Sequence, residues 1–383
     1  MVDQTVAPRD RTSEDLYHLV RTGQAATRSE LAEMSGLSRS TVHSAVGRLL
    51  ASGRLAEAEV VEKGPGSGSG RPAMRLTVEP SRSTVAGIDF GHNHVCVALA
   101  DARGTELVER RVELDVDLHA QEALETASAM LQELMAEQGT TELAAVAAGI
   151  PGPVDRKSGL VQSPTILSSW VGLAPATELQ QRLGVPVAVA NDAVLGAYGE
   201  LARGAGRFHR DFLYVKASHG IGAALVVNGQ PYTGATGLAG EIGHTQLAGH
   251  TELCRCGNRG CLEAVVSVQS IRHQLAHTHP QTDPGLLEVA HPSDPVSERI
   301  LNEAGLVLGA VLAEFCNLVN PSALVIGGEL GEAGGVLFDG VEQAVRRHAQ
   351  PATFAALEVL PAELGSRAEL VGAVHLAVAS LPA

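Results

Sequence analysis

The sequence predicts an α/β protein in two parts, a small helical head followed by a larger body of alternating strands and helices. Three observations carry that prediction. Residues 12–55 hold only short helix-length apolar patterns, followed by two strand-like runs around the Gly-rich stretch GPGSGSG. From Val85 onward, short apolar strands alternate with amphipathic helical segments, the signature of an α/β domain. A chain of 383 residues is also long enough for two or three domains with cores of their own. The simplest boundary lies near residue 80, giving a head of 1–80 and a body of 81–383.

Composition narrows the class. Apolar residues make up 45% of the chain, enough for a packed fold, but aromatics only 3%, so the core rests on Ala, Val, Leu and Ile. No apolar run approaches the ~20 residues of a membrane span. The opening MVDQTVAPRDRTSED lacks the apolar stretch of a signal peptide, so a cytoplasmic protein is expected. Cys96 and Cys316 stand singly in apolar stretches and read as buried thiols.

In the head, Leu31, Ala32, Met34, Leu37, Val42, Val46 and Leu49 form the apolar set. A first short helix spans Ser29 to Met34, and Gly36 permits the sharp turn that sets two helices at a steep angle. Ser38 can cap the second helix by accepting from an orphan amide. That helix then exposes Arg39, Ser40, Thr41, His43, Ser44 and Arg48. The two strand-like runs after it supply a hairpin, or wing. Together these predict a winged helix-turn-helix that lays its second helix in the major groove of double-stranded operator DNA. Hydroxyl side chains reach phosphates there, and arginine can fork onto guanine. Arg71, at the Gly-rich tip, is expected to enter the minor groove. Charge agrees: the chain carries −15, yet residues 1–82 hold ten Arg and one Lys against ten Asp or Glu. The excess acid therefore lies in the body, which leaves the head free to approach DNA.

In the body, TVAGIDF, HVCVALAD and TELVERRVEL read as successive strands, followed by a helix from Leu118 to Glu137 with Leu124, Leu131 and Leu134 on one face. LAAVAAGI is a buried strand ending in the turn PGPVD, and VPVAVAND is a strand feeding the helix AVLGAYGELARG. FLYVKA and IGAALVV form a hairpin-like pair, with Asn228-Gly229 as a turn signal. AGLVLGAVLAEFCNLVN is a helix feeding the strand ALVIGG, and a last helix runs from about Arg367 to Ala379. No short-period repeat is present, but GIDFG and YVKASHG end two strands in similar polar turns, which fits two related lobes.

His244 followed by Cys254, Cys256 and Cys261 supplies one imidazole and three thiolates, the donor set of a closed tetrahedral structural zinc site. Gly257 and Gly260 let the backbone wrap the ion, and no coordination position is left open for hydrolysis.

With these motifs in view, the chain resembles the repressor branch of the ROK family (repressors, open reading frames, kinases). GEIGH at 240–244 and CRCGNRGCLE at 254–263 carry the resemblance, with GIPGPVD from Gly149, Asn191-Asp192 after a strand, IGGEL from Ile326, and GSGRP at Gly68 to Pro72. The resemblance implies an actin-like, RNase H-like ATPase-type body of two lobes, about 83–191 plus the C-terminal helix and 192–366. It also implies a small-molecule sugar effector bound between the lobes. Carried over, Asn191 and Asp192 would contact sugar hydroxyls, with Asp192 at the kinases' general-base position. Glu241, His244 and Glu263 would also hold the sugar, and Gly152 would line the pocket.

Two departures from the kinases predict a sensor that is not an enzyme. The kinases' Asp-x-Gly-Gly-Thr loop is here Asp89-Phe90-Gly91-His92-Asn93, and their Gly-Thr-Gly-x-Gly loop is Ser218-His219-Gly220-Ile221-Gly222. Phosphate loops need close approach of backbone amides, and an imidazole in each crowds a triphosphate. The alternatives are an active ATP-dependent sugar kinase that also binds DNA, and a regulator governed by a protein partner. As a repressor, the chain is expected to act as a homodimer or homotetramer on a palindromic operator.

Overall fold

The computed structural model describes residues 8–21, 24–51, 55–60, 74–78, 83–161, 167–280 and 294–381. Two compact units result, Met1–Thr84 with Asp101–Thr105 and Leu381–Ala383, and Val85–Ala100 with Glu106–Ser380.

The head comprises α1 (Pro8–Arg21), α2 (Arg28–Ser35), α3 (Arg39–Ala51) and the antiparallel pair β1 (Leu55–Val60) and β2 (Met74–Val78). Its core joins Leu16, Leu31, Val42, Val46 and Leu49 to Leu55 and Leu76 of the hairpin. Local chemistry sets each boundary. Thr27 accepts from the Glu30 amide, while the Glu30 carboxylate reaches back to the N–H of Ala26 at 2.6 Å, a variant of the capping box. Gly36 ends α2 in the left-handed conformation at φ 69°. Ser38 accepts from the Thr41 amide at 3.2 Å, the expected cap of α3. The Leu76 amide donates to the Ala26 carbonyl at 2.8 Å, hooking β2 to the α1–α2 connection. One expected core residue lies elsewhere. Met34 is 50% exposed, because the two-turn α2 reaches the core through Leu31 and the turn at Gly36 then brings in Leu37.

The body holds two five-stranded sheets. The first contains β3 (Thr84–Phe90), β4 (His94–Asp101), β5 (Glu106–Glu113), β6 (Leu143–Ile150) and β7 (Val187–Asn191), flanked by α4 (Ala120–Glu137) and α5 (Pro175–Leu183). After α6 (Asp192–Arg203) come β8 (Phe212–Ala217), β9 (Ile221–Val227), β10 (Gln230–Tyr232), α7 (Leu262–Val266), α8 (Val268–Thr278) and α9 (Pro295–Val319). The chain closes with β11 (Ala323–Gly327), α10 (Glu329–Glu332), α11 (Gly335–His348), α12 (Pro351–Ala355), β12 (Glu358–Pro361) and α13 (Ala368–Ala379).

The strand orders match: β5-β4-β3-β6-β7 in the first sheet and β10-β9-β8-β11-β12 in the second. In both, an antiparallel edge hairpin gives way to parallel pairing, seen at β6–β7 and at β8–β11–β12. This is the duplicated, two-lobed α/β arrangement expected. The first core packs Leu124, Leu131 and Leu134 of α4 against β3 and β6, with Phe90 edge-to-face on Trp170 at 5.3 Å. The second sets α9 against the β8–β11 sheet through Leu308 and Leu312. By length and composition α9 could cross a bilayer, though half of its most apolar window is buried within the fold. The helix is longer than the apolar run in the sequence because Asp294 caps it by accepting from Val296 and Ser297. Asn228-Gly229, at φ 53° and 73°, turns β9 into the short β10, whereas β8 and β9 are joined through Ser218–Gly220.

Candidate functional site

The metal cluster is assembled by short loops. A 3-10 turn at Ile242–His244 presents the imidazole. The Gly257 amide returns to the Cys254 carbonyl at 3.0 Å and the Cys254 amide to Asn258 at 2.9 Å, forming a knuckle that brings Cys254 and Cys256 together. Cys261 follows as the residue before α7. One ligand atom from each of His244, Cys254, Cys256 and Cys261 lies within 4.8 Å of the others. Cys254 Sγ is 3.7 Å from His244 Nδ1, and Cys256 Sγ is 3.7 Å from Cys261 Sγ. A tetrahedron with zinc–sulfur bonds of about 2.3 Å has edges of about 3.8 Å, so the donor set suits zinc and these two separations are close to a tetrahedral edge. Cys96 and Cys316 are buried and unpaired, and burial pushes both thiols up to about 12.

Beside the cluster lies a cavity of about 480 Å³, whose walls include Gly152, Asn191, Asp192, Glu241, His244 and Glu263, all six residues carried over from the resemblance. Asn191 caps α6 by accepting from Ala193 at 2.9 Å, and its amide donates to the Gly152 carbonyl at 3.4 Å. Asp192 Oδ1 accepts from the same Ala193 amide at 2.8 Å. Glu263 Oε2 accepts from the Ile221 amide at 3.3 Å. His244 divides its ring: Nδ1 faces the thiols, while Nε2 lies 3.8 Å from Glu241 Oε2. Carboxylates, an amide and a fixed imidazole converging on one cavity can bind vicinal hydroxyls.

Both phosphate-loop positions present imidazoles to the same cavity. His92 and His219 stand 5.4 Å apart by ring centroid, and His92 Nδ1 is paired with Asp117 at 2.8 Å. Burial, and after it the neighbouring His92, push His219 below the usual histidine value, which favours its neutral ring. At the first loop, His94 packs on Gly91 and bonds Asp89 Oδ2 through Nε2 at 3.0 Å.

Sequence reasoning missed two charged residues here. Lys216 lies 2.9 Å from Asp192 Oδ2 and 3.1 Å from Glu369 Oε1. Their signal was present: a lysine inside the strand FLYVKA and a glutamate inside the apolar helix AELVGAVHLAVA each need a partner.

In the head, Ser38, Arg39, Ser40, Thr41, His43, Ser44 and Arg48 are all exposed, six of them on α3 and Ser38 at its start. The Ser38 hydroxyl also bonds those of Ser40 and Thr41 at 2.9 and 2.8 Å. Arg48 differs from the rest, since its guanidinium donates to Ser13 of α1 at 2.9 Å. Arg71 and the Gly-rich stretch around it lie outside the described residues.

Comparison with known proteins gives two family matches, the ROK family over residues 85–380 and a winged helix-turn-helix DNA-binding family over residues 9–55. The chain is 28% identical to the xylose repressor of Bacillus spizizenii over 349 residues, covering 90% of this chain and 89% of the relative. A solved ROK family transcriptional regulator, a homologue of the Escherichia coli MLC protein, shares the fold with a TM-score of 0.77 and 24% identity. That match covers 97% of this chain and 96% of the other. The structure of a ROK family glucokinase from Streptomyces griseus, in complex with glucose and AMPPNP, matches with a TM-score of 0.66 and 27% identity. It covers 77% of this chain and 99% of that one.

Proposed function

The chain belongs to the ROK family, and on that premise we propose that it is a sugar-responsive transcriptional repressor that binds operator DNA in the cytoplasm and performs no kinase chemistry. One observation carries the reading. A DNA-binding head is fused to a cleft in which hydroxyl-binding groups converge while both phosphate-loop positions present imidazoles. The xylose repressor relative and the glucose held by the related glucokinase support a monosaccharide as the effector.

Asn191, Asp192, Glu241, His244 and Glu263 bind the sugar hydroxyls, and Gly152 lines the same pocket. His244, Cys254, Cys256 and Cys261 hold a structural zinc, which supplies a rigid cross-link and fixes the imidazole's orientation. Phosphoryl transfer depends on positioning and on stabilising charge. His219 facing His92, with its charged form disfavoured by burial, provides neither the close amide approach of a glycine nor a cation for a triphosphate. The head reads DNA through Ser38, Arg39, Ser40, Thr41, His43, Ser44 and Arg48, with Arg71 reaching the minor groove, and two or four copies engage a palindrome.

The test is operator binding by the purified protein, with and without each of glucose, xylose and N-acetylglucosamine. A sugar that shifts operator affinity, with no sugar phosphate formed in the presence of ATP, is the expected result. Steady ATP-dependent product would replace this reading with the kinase one, which the retained Asp89 and Asp192 favour. Indifference to every sugar would remove the sensor.

A further inference from the structure

We infer that Lys216 is a positioning residue of the sugar cleft: its ammonium, held between Asp192 and Glu369, is the built-in counter-ion of the cleft floor. It does with a fixed side chain what a bound divalent cation would otherwise do. The inference deepens the reading above and rests on Asp192 as a sugar contact.

The geometry is specific. Lys216 sits on β8 between Val215 and Ala217, both fully buried, and its Nζ lies 2.9 Å from Asp192 and 3.1 Å from Glu369. A third carboxylate, Asp89, also acts on it, and Asp89 Oδ1 is buried without a hydrogen-bond partner. Burial alone would lower the lysine's value, yet Asp192, then Glu369 and Asp89, hold it well above the ordinary lysine value. Once Glu369 ionises, above about pH 7, one ammonium thus bridges two carboxylates carried by separate elements, α6 and α13, while the charge of Asp89 on β3 adds to the field around it.

Two consequences follow from that arrangement. Without the ammonium, Asp192 and Glu369 would be left as neighbouring hard oxygen donors with no counter-charge, the donor chemistry that attracts Mg²⁺ or Mn²⁺. With it, both oxygens of Asp192 are fixed, Oδ1 by the Ala193 amide and Oδ2 by Lys216. The carboxylate then offers its remaining lone pairs to the cavity in one orientation, a pre-organised acceptor for a sugar hydroxyl. A proton passing from that hydroxyl to Asp192 would dissolve the ion pair, so the site reads the hydroxyl without activating it.

The experiment uses the full-length, zinc-loaded chain. Calorimetry with glucose, xylose and N-acetylglucosamine gives sugar affinity, and electron paramagnetic resonance titration gives Mn²⁺ binding. Lys216→Met should lose roughly tenfold in sugar affinity, the scale of one misaligned hydrogen bond to an ion, and should gain a Mn²⁺ site that the unmodified chain lacks. Lys216→Arg should restore both properties, which a merely structural role would not require. Mn²⁺ failing to bind Lys216→Met, or sugar affinity unchanged by that substitution, overturns the inference. Should Lys216→Met not fold, the charge-balanced Lys216→Met/Glu369→Gln variant carries the sugar comparison, and unchanged affinity there overturns it equally. If the unmodified chain binds none of the sugars, the functional reading fails separately, and the Mn²⁺ arm alone decides the role of Lys216.

Discussion

His244 illustrates how single residues divide their work, one ring nitrogen among thiols and the other toward Glu241. On the proposed function, that arrangement makes a bound metal a condition of the cleft's geometry, and thiol reactivity tests it. With metal bound, the cluster cysteines should resist alkylation. After chelation Cys254, Cys256 and Cys261 should label, while Cys96 and Cys316, pushed up to about 12 by burial, stay protected in the folded chain. Labelling of the same residues before and after chelation would remove the metal from the argument. Glu369 provides a pH signature. Burial pushes its carboxyl up from 4.5 to about 7, against Lys216 and with Asp89 and Asp192 adding to the shift. A carboxyl whose folded value lies above its unfolded one binds more protons in the folded state across that interval. Its contribution to stability is therefore complete below about 4.5 and is lost as the pH rises through about 7. Glu369→Gln should flatten the fall in Tm over that range, and an unchanged slope in a melting series would refute the assignment. The four residues of the metal cluster and all six cleft residues were legible because they fall in short local motifs: GIPGPVD, Asn191-Asp192, GEIGH and CRCGNRGCLE. Lys216 and Glu369 were not, because each makes sense only beside the other, and the sheet and helix that join them are far apart in the chain.

At the level of elements, helix contacts depend on missing side chains. An added Cβ on Gly372 of α13 would overlap the Leu195 carbonyl of α6, and one on Gly199 of α6 would overlap the Ala368 carbonyl of α13. These two helices therefore meet backbone to backbone. Gly372→Ala should cost about 1–3 kcal/mol, the range for overpacking, read as a shift in urea midpoint. A stabilisation, as ordinary helix propensity would give, would show that the contact is loose. The junction is reinforced by Glu200, fully buried, whose carboxylate accepts from the amides of Ala205, Leu364 and Glu363 at 2.7, 2.9 and 3.2 Å. In the head, α3 is the element to test. Arg39→Ala should weaken operator binding and reduce the salt dependence of log K by about one, with sugar affinity untouched. Periodicity exposed α4 and α13 to within two residues, but of the longest helix, α9, it caught only the apolar C-terminal part. It was silent on α5, α8 and α11, and on α7, α10 and α12, whose four or five residues are too few to show a period. Met34 was misassigned for a related reason: in an eight-residue helix one buried leucine sets the packed face, and pattern counting cannot tell which neighbour is left outside.

For the molecule as a whole, the proposed function is a free energy shared by two sites. If a sugar changes operator affinity by some factor, operator DNA must change sugar affinity by the same factor, whichever direction the effect takes. A coupling of about 1–3 kcal/mol corresponds to roughly 5- to 150-fold, well within reach of paired titrations. A sugar that binds equally well to the DNA-competent and DNA-incompetent forms can have no effect, however tightly it binds. The groups that generate coupling must therefore contact the sugar and differ between those forms. Glu241 is the clearest candidate to probe. It lines the cavity, faces His244 Nε2 and, at 45% side-chain exposure, is the least enclosed carboxylate there, so its removal leaves no buried partner stranded. Glu241→Ala should abolish the sugar effect on operator binding while sugar-free operator affinity stays within about 0.5 kcal/mol, the usual range for an exposed substitution. Because the linkage is reciprocal, the operator's effect on any residual sugar binding must vanish in the same variant. Parallel loss of operator affinity without sugar would mean that Glu241 supports the fold and not the signal, and the cleft would then have to be read as a structural relic of its kinase relatives.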